Sequence, residues 1–171
     1  MSLPASRTLY LITFLACLLI IASAYYMELV LGLQPCPLCW IQRICFILVG
    51  LISLAALLHN PQPRPPRKRA MAARGYAVGV LLATLFGATI AGRQIWLQHQ
   101  PPETLASCLP SMDYMLDVLP FRDMLQLIFS GTADCAAVTW TFLGLSIAEG
   151  SMLLFILLTL FGLTQLLRSE D

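Results

Sequence analysis

The chain has 171 residues, 58% of them hydrophobic and only 11% charged, with a formal net charge of +1. Soluble domains carry about a quarter charged residues, so a soluble domain could not hide this much apolar surface and membrane residence follows. A bilayer asks for about 20 mostly apolar residues per spanning helix, and unpaired backbone amides are too costly in lipid for any open alternative. Four segments qualify. The expected fold is an all-α integral membrane protein: one membrane domain over residues 1–171, built as a four-transmembrane-helix bundle.

The first apolar run covers about residues 8–27. It is longer than the hydrophobic core of a signal peptide and leads quickly into another apolar run, so it reads as a retained helix, although Ala22-Ser23-Ala24 resembles a cleavage site. A short loop, residues 28–40, follows and carries Cys36 and Cys39 in "QPCPLCWIQR". The second run covers about residues 41–58, with Arg43 at its start and no charge from Ile44 onward. Residues 59–74 form a proline-rich basic loop holding Arg64, Arg67, Lys68, Arg69 and Arg74. The third run, about residues 75–97, is followed by His99 and a long loop, residues 98–146, that contains Cys108 and Cys135. Within that loop Phe121, Met124, Leu125 and Ile128 recur at helical spacing, which predicts a short amphipathic helix lying on the membrane or covering the bundle. The fourth run covers about residues 147–167, with Glu149 at its entrance.

Charge sets the orientation. Arg7, the five basic residues of the 59–74 loop and Arg168 place seven of the ten cations on one side, and seven carboxylates fall on the other. The positive-inside rule then makes both termini and the basic loop cytoplasmic. At that position the basic run orients the chain; it is not a nucleic-acid site. Loops 28–40 and 98–146 therefore face a compartment in which disulfides persist.

Of six cysteines, Cys17 and Cys45 lie inside apolar runs, where thiols are inert. Cys36, Cys39, Cys108 and Cys135 are divided two and two between the external loops. Four thiols of this kind fit three chemistries. A zinc site usually presents two short-spaced pairs, and the 108/135 spacing argues against it, so no metal is expected. A structural Cys108–Cys135 bridge would contribute about 3–4 kcal/mol by loop closure but leaves the Cys36–Cys39 pair unexplained. A relay of two dithiol/disulfide couples uses all four. Neither a C-x-x-C-H haem motif nor a G-x-G-x-x-G fingerprint is present, so the electron acceptor is borrowed.

Pro37 suits the first turn of the second helix. Cys36, Cys39 and Arg43 then fall on one face at i, i+3 and i+7. The helix dipole and the guanidinium both favour a Cys39 thiolate at the lipid boundary. An arginine there also suits the carbonyl of a lipid-soluble quinone, which makes Arg43 a candidate cofactor-binding residue. Alone, Arg43 reads equally as a snorkelling interfacial cation. His99 lies at the same boundary, either as a second quinone contact or proton shuttle, or as an ordinary interfacial residue beside Trp96. Upstream of Cys108, "HQPPETLASCLPSM" is extended and accessible, which suits contact with an outside protein.

C-P-L-C with an arginine four positions on, a cysteine in "ASC", another in "GTADC", and W-x-F-L-G-L before the last helix resemble the DsbB family of bacterial inner membranes over nearly the whole chain. That resemblance implies a protein-dithiol:quinone oxidoreductase whose partner is a periplasmic DsbA-like thiol oxidase and whose acceptor is ubiquinone or menaquinone. It further implies that Cys108 receives the partner's thiolate, that Cys135 attacks Cys36, and that Cys39 engages the quinone beside Arg43. Cys17 has no role in that pattern, and Gln42 stands where some members carry a carboxylate. Two alternatives accompany it. One is a thiol oxidoreductase of the vitamin K epoxide reductase type, in which the quinone-proximal pair is expected late in the chain; the other is a non-enzymatic scaffold with one structural disulfide.

Overall fold

The computed structural model describes residues 6–33, 35–59, 66–101, 120, 122, 133–136, 138, 140–142 and 144–168. Cys108 and the amphipathic segment carrying Phe121, Met124, Leu125 and Ile128 lie outside the described residues. The elements are α1 (Ser6–Leu29), α2 (Pro37–His59), α3 (Pro66–Gln98), a single turn α4 (Ala133–Ala136), a two-residue ribbon of β1 (Thr141–Phe142) and β2 (Leu145–Ser146), and α5 (Ile147–Arg168). The four long helices each contain a segment long and apolar enough to cross a membrane: Arg7–Leu29, Pro37–His59, Ala72–Gln98 and Ile147–Leu167. The protein is a multi-pass, four-helix membrane bundle.

Local chemistry explains where the helices start. α2 begins at Pro37, ahead of the uninterrupted apolar run, because proline occupies the first helical position and Cys36 caps it. The Cys36 carbonyl takes the Trp40 amide at 3.2 Å, and the Cys36 sulfur takes the Cys39 amide at 3.3 Å, as a capping serine oxygen would. α3 reaches back to Pro66, well inside the expected basic loop, since the residues after that proline (Arg67, Lys68, Arg69, Ala70 and Met71) are good helix formers. α5 opens on a capping box. Ser146 Oγ accepts the Glu149 amide at 3.3 Å, and Glu149 Oε2 accepts the Ser146 amide at 2.7 Å. The ribbon leading into it pairs Thr141 with Ser146 and Phe142 with Leu145, turning at Gly144, whose φ of 83° needs a residue without a Cβ.

α1 packs on α2, α2 on α3, and α3 on α5. Their shared core holds Cys17, Cys45, Phe46, Val49, Val80, Phe155 and Leu158. Phe46 and Phe155 stack at 4.2 Å with an interplanar angle of 8°. The Phe155 ring lies against Gly87, and the added carbon of any other residue at position 87 would run into it. Cys17 packs in the same close manner on Gly50, its Cβ 3.3 Å from where a side chain would begin. Both membrane-embedded thiols are thus core residues. α1 and α5 meet through the edge-to-face pair Tyr10 and Phe161, at the end of the bundle remote from Cys39. The outward stripes Ile44, Ile47, Leu48 and Leu51 on α2 and Leu153, Ile156, Leu157 and Leu160 on α5 are exposed at helical spacing. In water such faces would demand a partner, and in a bilayer they meet lipid chains.

Because Phe155 is fully buried and held by Phe46, it has nowhere to retreat. Gly87→Ala is expected to destabilise the bundle by about 1–3 kcal/mol as overpacking, read from thermal unfolding in detergent. Gly92→Ala, where an added carbon meets nothing within 4 Å, serves as the control.

Candidate functional site

Where α1 ends, Gly32 takes a left-handed φ of 67° and the Leu33 amide bonds back to the Met27 carbonyl at 3.2 Å. This turn delivers Pro35 and Cys36 to the head of α2. The Cys36 and Cys39 sulfurs lie 2.8 Å apart. Cys135, carried by α4, enters the same buried cluster with Leu38, Ile90 and Leu97. Its thiol hydrogen-bonds that of Cys36. Three of the four cysteines singled out from the sequence therefore meet, and Cys108 lies outside the described residues. The Cys36 thiol is held well above its ordinary value, first by its hydrogen bond to Cys135, then by that to Cys39 and by burial.

A third helix touches the pair. Gln94 of α3 places Nε2 3.3 Å from the Cys39 sulfur and 3.5 Å from the Cys36 sulfur, while its Oε1 lies 3.7 Å from Cys39. That Oε1 also accepts Gln42 Nε2 at 2.7 Å. Gln42 Oε1 accepts the Ser151 hydroxyl of α5 at 2.6 Å. Gln42 and Gln94 are each only 4% exposed. The position noted from the sequence only as a departure is the middle of this chain of bonds.

Arg43 points elsewhere. It pairs with Glu28 at the end of α1, donates to the Ala24 carbonyl at 3.3 Å, and lies over the rings of Tyr25 and Trp40 at 5.3 and 5.5 Å. The expected companion of the Cys39 thiolate is thus engaged by a carboxylate on α1, and the polar group against the sulfur is an uncharged amide. Arg43 and Cys39 nevertheless line one partly open cavity of about 490 Å³ between α1, α2 and α5. Ile20, Met27, Phe46 and Leu154 supply its apolar wall, and Val138 and Trp140 come from the segment after α4. The volume is ordinary for a cofactor-sized organic ligand. His99 is exposed just beyond α3, donating from Nδ1 to the Ile95 carbonyl at 2.8 Å, and the cavity wall takes its neighbour Gln98 instead. Gln98 in turn accepts the Ser146 hydroxyl at 3.0 Å.

Glu28, Gln94 and Ser151 were not singled out as site residues from the sequence. Gln94 carried a usable signal, being a polar side chain inside an apolar run, where such residues mark function by default. Glu28 carried a weaker one, as the lone carboxylate of the short 28–40 loop, with Arg43 just beyond the loop's other end.

The fold and this cluster define a multi-pass membrane protein with three cysteines gathered at one end of its bundle. Residues 6–165 match the family model described as Disulfide bond formation protein DsbB. The chain is 48% identical over 170 residues to Disulfide bond formation protein B of Stutzerimonas stutzeri, covering 99% of this chain and 100% of that one. It is 46% identical over 168 residues to Disulfide bond formation protein B 1 of Pseudomonas aeruginosa, covering 98% and 99%. With Disulfide bond formation protein B of Marinobacter nauticus it shares 46% over 163 residues, covering 95% and 93%. The chain belongs to the DsbB family.

The cluster geometry makes a direct prediction. In Cys39→Ser, mild oxidation should join Cys36 to Cys135, identified as a linked peptide pair by non-reducing mass spectrometry; a predominant Cys36–Cys108 product would contradict the arrangement.

Proposed function

We propose that this chain is a quinone-dependent thiol oxidase that reoxidises a DsbA-like periplasmic dithiol oxidase and passes two electrons through two cysteine pairs to ubiquinone or menaquinone. The observation that supports it most is the Cys39 sulfur standing in the wall of the same apolar cavity as the Arg43 guanidinium. Thiols held for packing alone would need no such space beside them. With the 59–74 segment and both termini cytoplasmic, the cluster faces the oxidising side of a bacterial inner membrane.

On this reading the partner's thiolate attacks Cys108 of a Cys108–Cys135 disulfide; the mixed disulfide forms, the Cys108–Cys135 bond breaks, and Cys135 leaves as a thiolate. Cys135 attacks the Cys36 sulfur, already its hydrogen-bonding neighbour, and the bond from Cys36 to Cys39 breaks. Cys39 is left as the thiolate at the cavity wall. A quinone held there supplies a two-electron acceptor. Arg43 would offer N–H donors to an oxygen of the bound quinone, and Ile20, Met27, Phe46 and Leu154 would give it an apolar wall. Glu28 holds the guanidinium in place. DsbA-type oxidases are themselves strong oxidants, so the acceptor has to be more oxidising still, a requirement the thiols alone do not meet.

The test mixes the purified protein with a reduced thioredoxin-fold dithiol oxidase and a soluble quinone analogue and follows quinone absorbance. Cys39→Ser should abolish turnover. Arg43→Ala should raise the apparent quinone KM about ten- to hundredfold, the worth of a charge-assisted hydrogen bond. Cys135→Ser should abolish turnover too, since the reduced partner then has no Cys108–Cys135 disulfide to attack. Turnover surviving in Cys39→Ser would reject the assignment.

A further inference from the structure

Opening the Cys36–Cys39 bond leaves an anion on a sulfur inside a largely apolar bundle, and the structure bears on what stabilises it. We infer that Gln94 is the donor that stabilises the Cys39 thiolate as it leaves, and that Gln42 and Ser151 are positioning residues that keep the Gln94 N–H groups turned toward sulfur. The inference rests on the reading of Cys36–Cys39 as an exchanging pair. In the step concerned, the Cys135 thiolate forms a bond to Cys36 and the Cys36–Cys39 bond breaks. The electron pair of the broken bond departs on the Cys39 sulfur. One disulfide replaces another, and the negative charge moves from Cys135 to Cys39.

The amide is built to follow that charge. Its Oε1 lies 3.7 Å from the Cys39 sulfur, within reach of an S–H donor, and its Nε2 lies 3.3 Å away, within reach of a thiolate acceptor. One side chain therefore serves both protonation states without rotating. Rotation is also opposed from behind. A flipped Gln94 would turn its N–H groups on the Gln42 Nε2 that now donates to Oε1 at 2.7 Å, and Gln42 is fixed by the Ser151 hydroxyl at 2.6 Å. Ser151 is anchored in turn by the Ala148 carbonyl at 2.9 Å. The chain of bonds starts at the first turn of α5, crosses α2 and ends on α3, so the direction of one amide depends on three helices.

Among the described residues, the charged or titratable groups nearest this end of the bundle have other partners, Arg93 lying over the Trp96 ring at 4.4 Å. Cys36 caps its own helix, and Cys135 approaches on α4. Arg43 is paired with Glu28 of α1, Glu149 caps Ser146 at the head of α5, and His99 is exposed on the Ile95 carbonyl. The donor against the sulfur is neutral. It stabilises the thiolate without the standing charge that a lysine or arginine would bring into the bundle.

The test is the pH dependence of Cys39 alkylation by iodoacetamide in the reduced full-length protein in detergent, resolved by mass spectrometry, with no quinone or partner added. Gln94→Leu should move the Cys39 midpoint up by about one pH unit, a tenfold loss of thiolate below it. Ser151→Ala and Gln42→Leu should move it the same way by less, and Ser151→Thr, which keeps the hydroxyl, should restore it. An unmoved midpoint in Gln94→Leu overturns the inference. A shift in Gln94→Leu with none in Ser151→Ala or Gln42→Leu overturns the positioning roles. If Gln94→Leu does not fold, an unmoved midpoint in Ser151→Ala, which deletes one hydroxyl, overturns the inference by itself. Since neither quinone nor partner takes part, this result is independent of the turnover of Cys39→Ser, on which the functional reading stands or falls.

Discussion

Lipid offers no hydrogen bonds, so each polar side chain that the helices carry into the bundle has to find its partner there. Ser151, Gln42 and Gln94 meet this requirement in series and end on two sulfurs. Their bonds fix the relative register of α5, α2 and α3 at the end where the cysteines lie. Further along, close packing does the same work. Gly87 receives Phe155, a Cβ at Gly162 would stand only 3.1 Å from the Leu81 side chain, and Thr159 bonds Thr84 at 3.1 Å. Removing any member of the polar series would leave a buried amide or hydroxyl unpaired, which is costlier than the bond itself is worth. The site and the bundle therefore share one set of restraints.

A second constraint is electrical. A lone guanidinium in the bundle would be an expensive guest. Glu28 makes the Arg43 site a neutral pair, and the Tyr25 and Trp40 rings cover the cation further. Arg43 still lines the cavity, so neutrality is achieved without removing the side chain from its wall. The charged pair and the uncharged amide are thus divided: Arg43 is matched by a carboxylate of α1, and the two sulfurs are matched by Gln94 of α3.

Much of this was legible in the residues, for reasons that differ by feature. The four apolar runs announced four helices because the bilayer imposes one length on all of them. The Cys36, Cys39 and Arg43 spacing announced one helical face because Pro37 marks where α2 starts. Contacts between distant segments were a different matter. The pairing of Arg43 with Glu28 joins α1 to α2, and that of Gln94 with the thiols joins α3 to α2; no local pattern specifies either. The start of α3 at Pro66 was missed because hydropathy locates the membrane-embedded part of a helix and is silent about a charged extension. The capping box at Ser146 and Glu149 was written in the sequence as S-x-x-E, and only the carboxylate was noticed.

The placement of Trp140 and Val138 in the cavity wall has a mechanical corollary. Both belong to the stretch of chain that carries Cys135, and Trp140 is separated from it by so few peptide units that their Cα atoms can never be more than roughly 18 Å apart. The Cys135 sulfur, packed beside Cys36, is thus leashed to an indole of the cavity wall. A long excursion by one has to drag the other, so the position of the thiol and the closure of the cavity wall are geared together by covalent bonds.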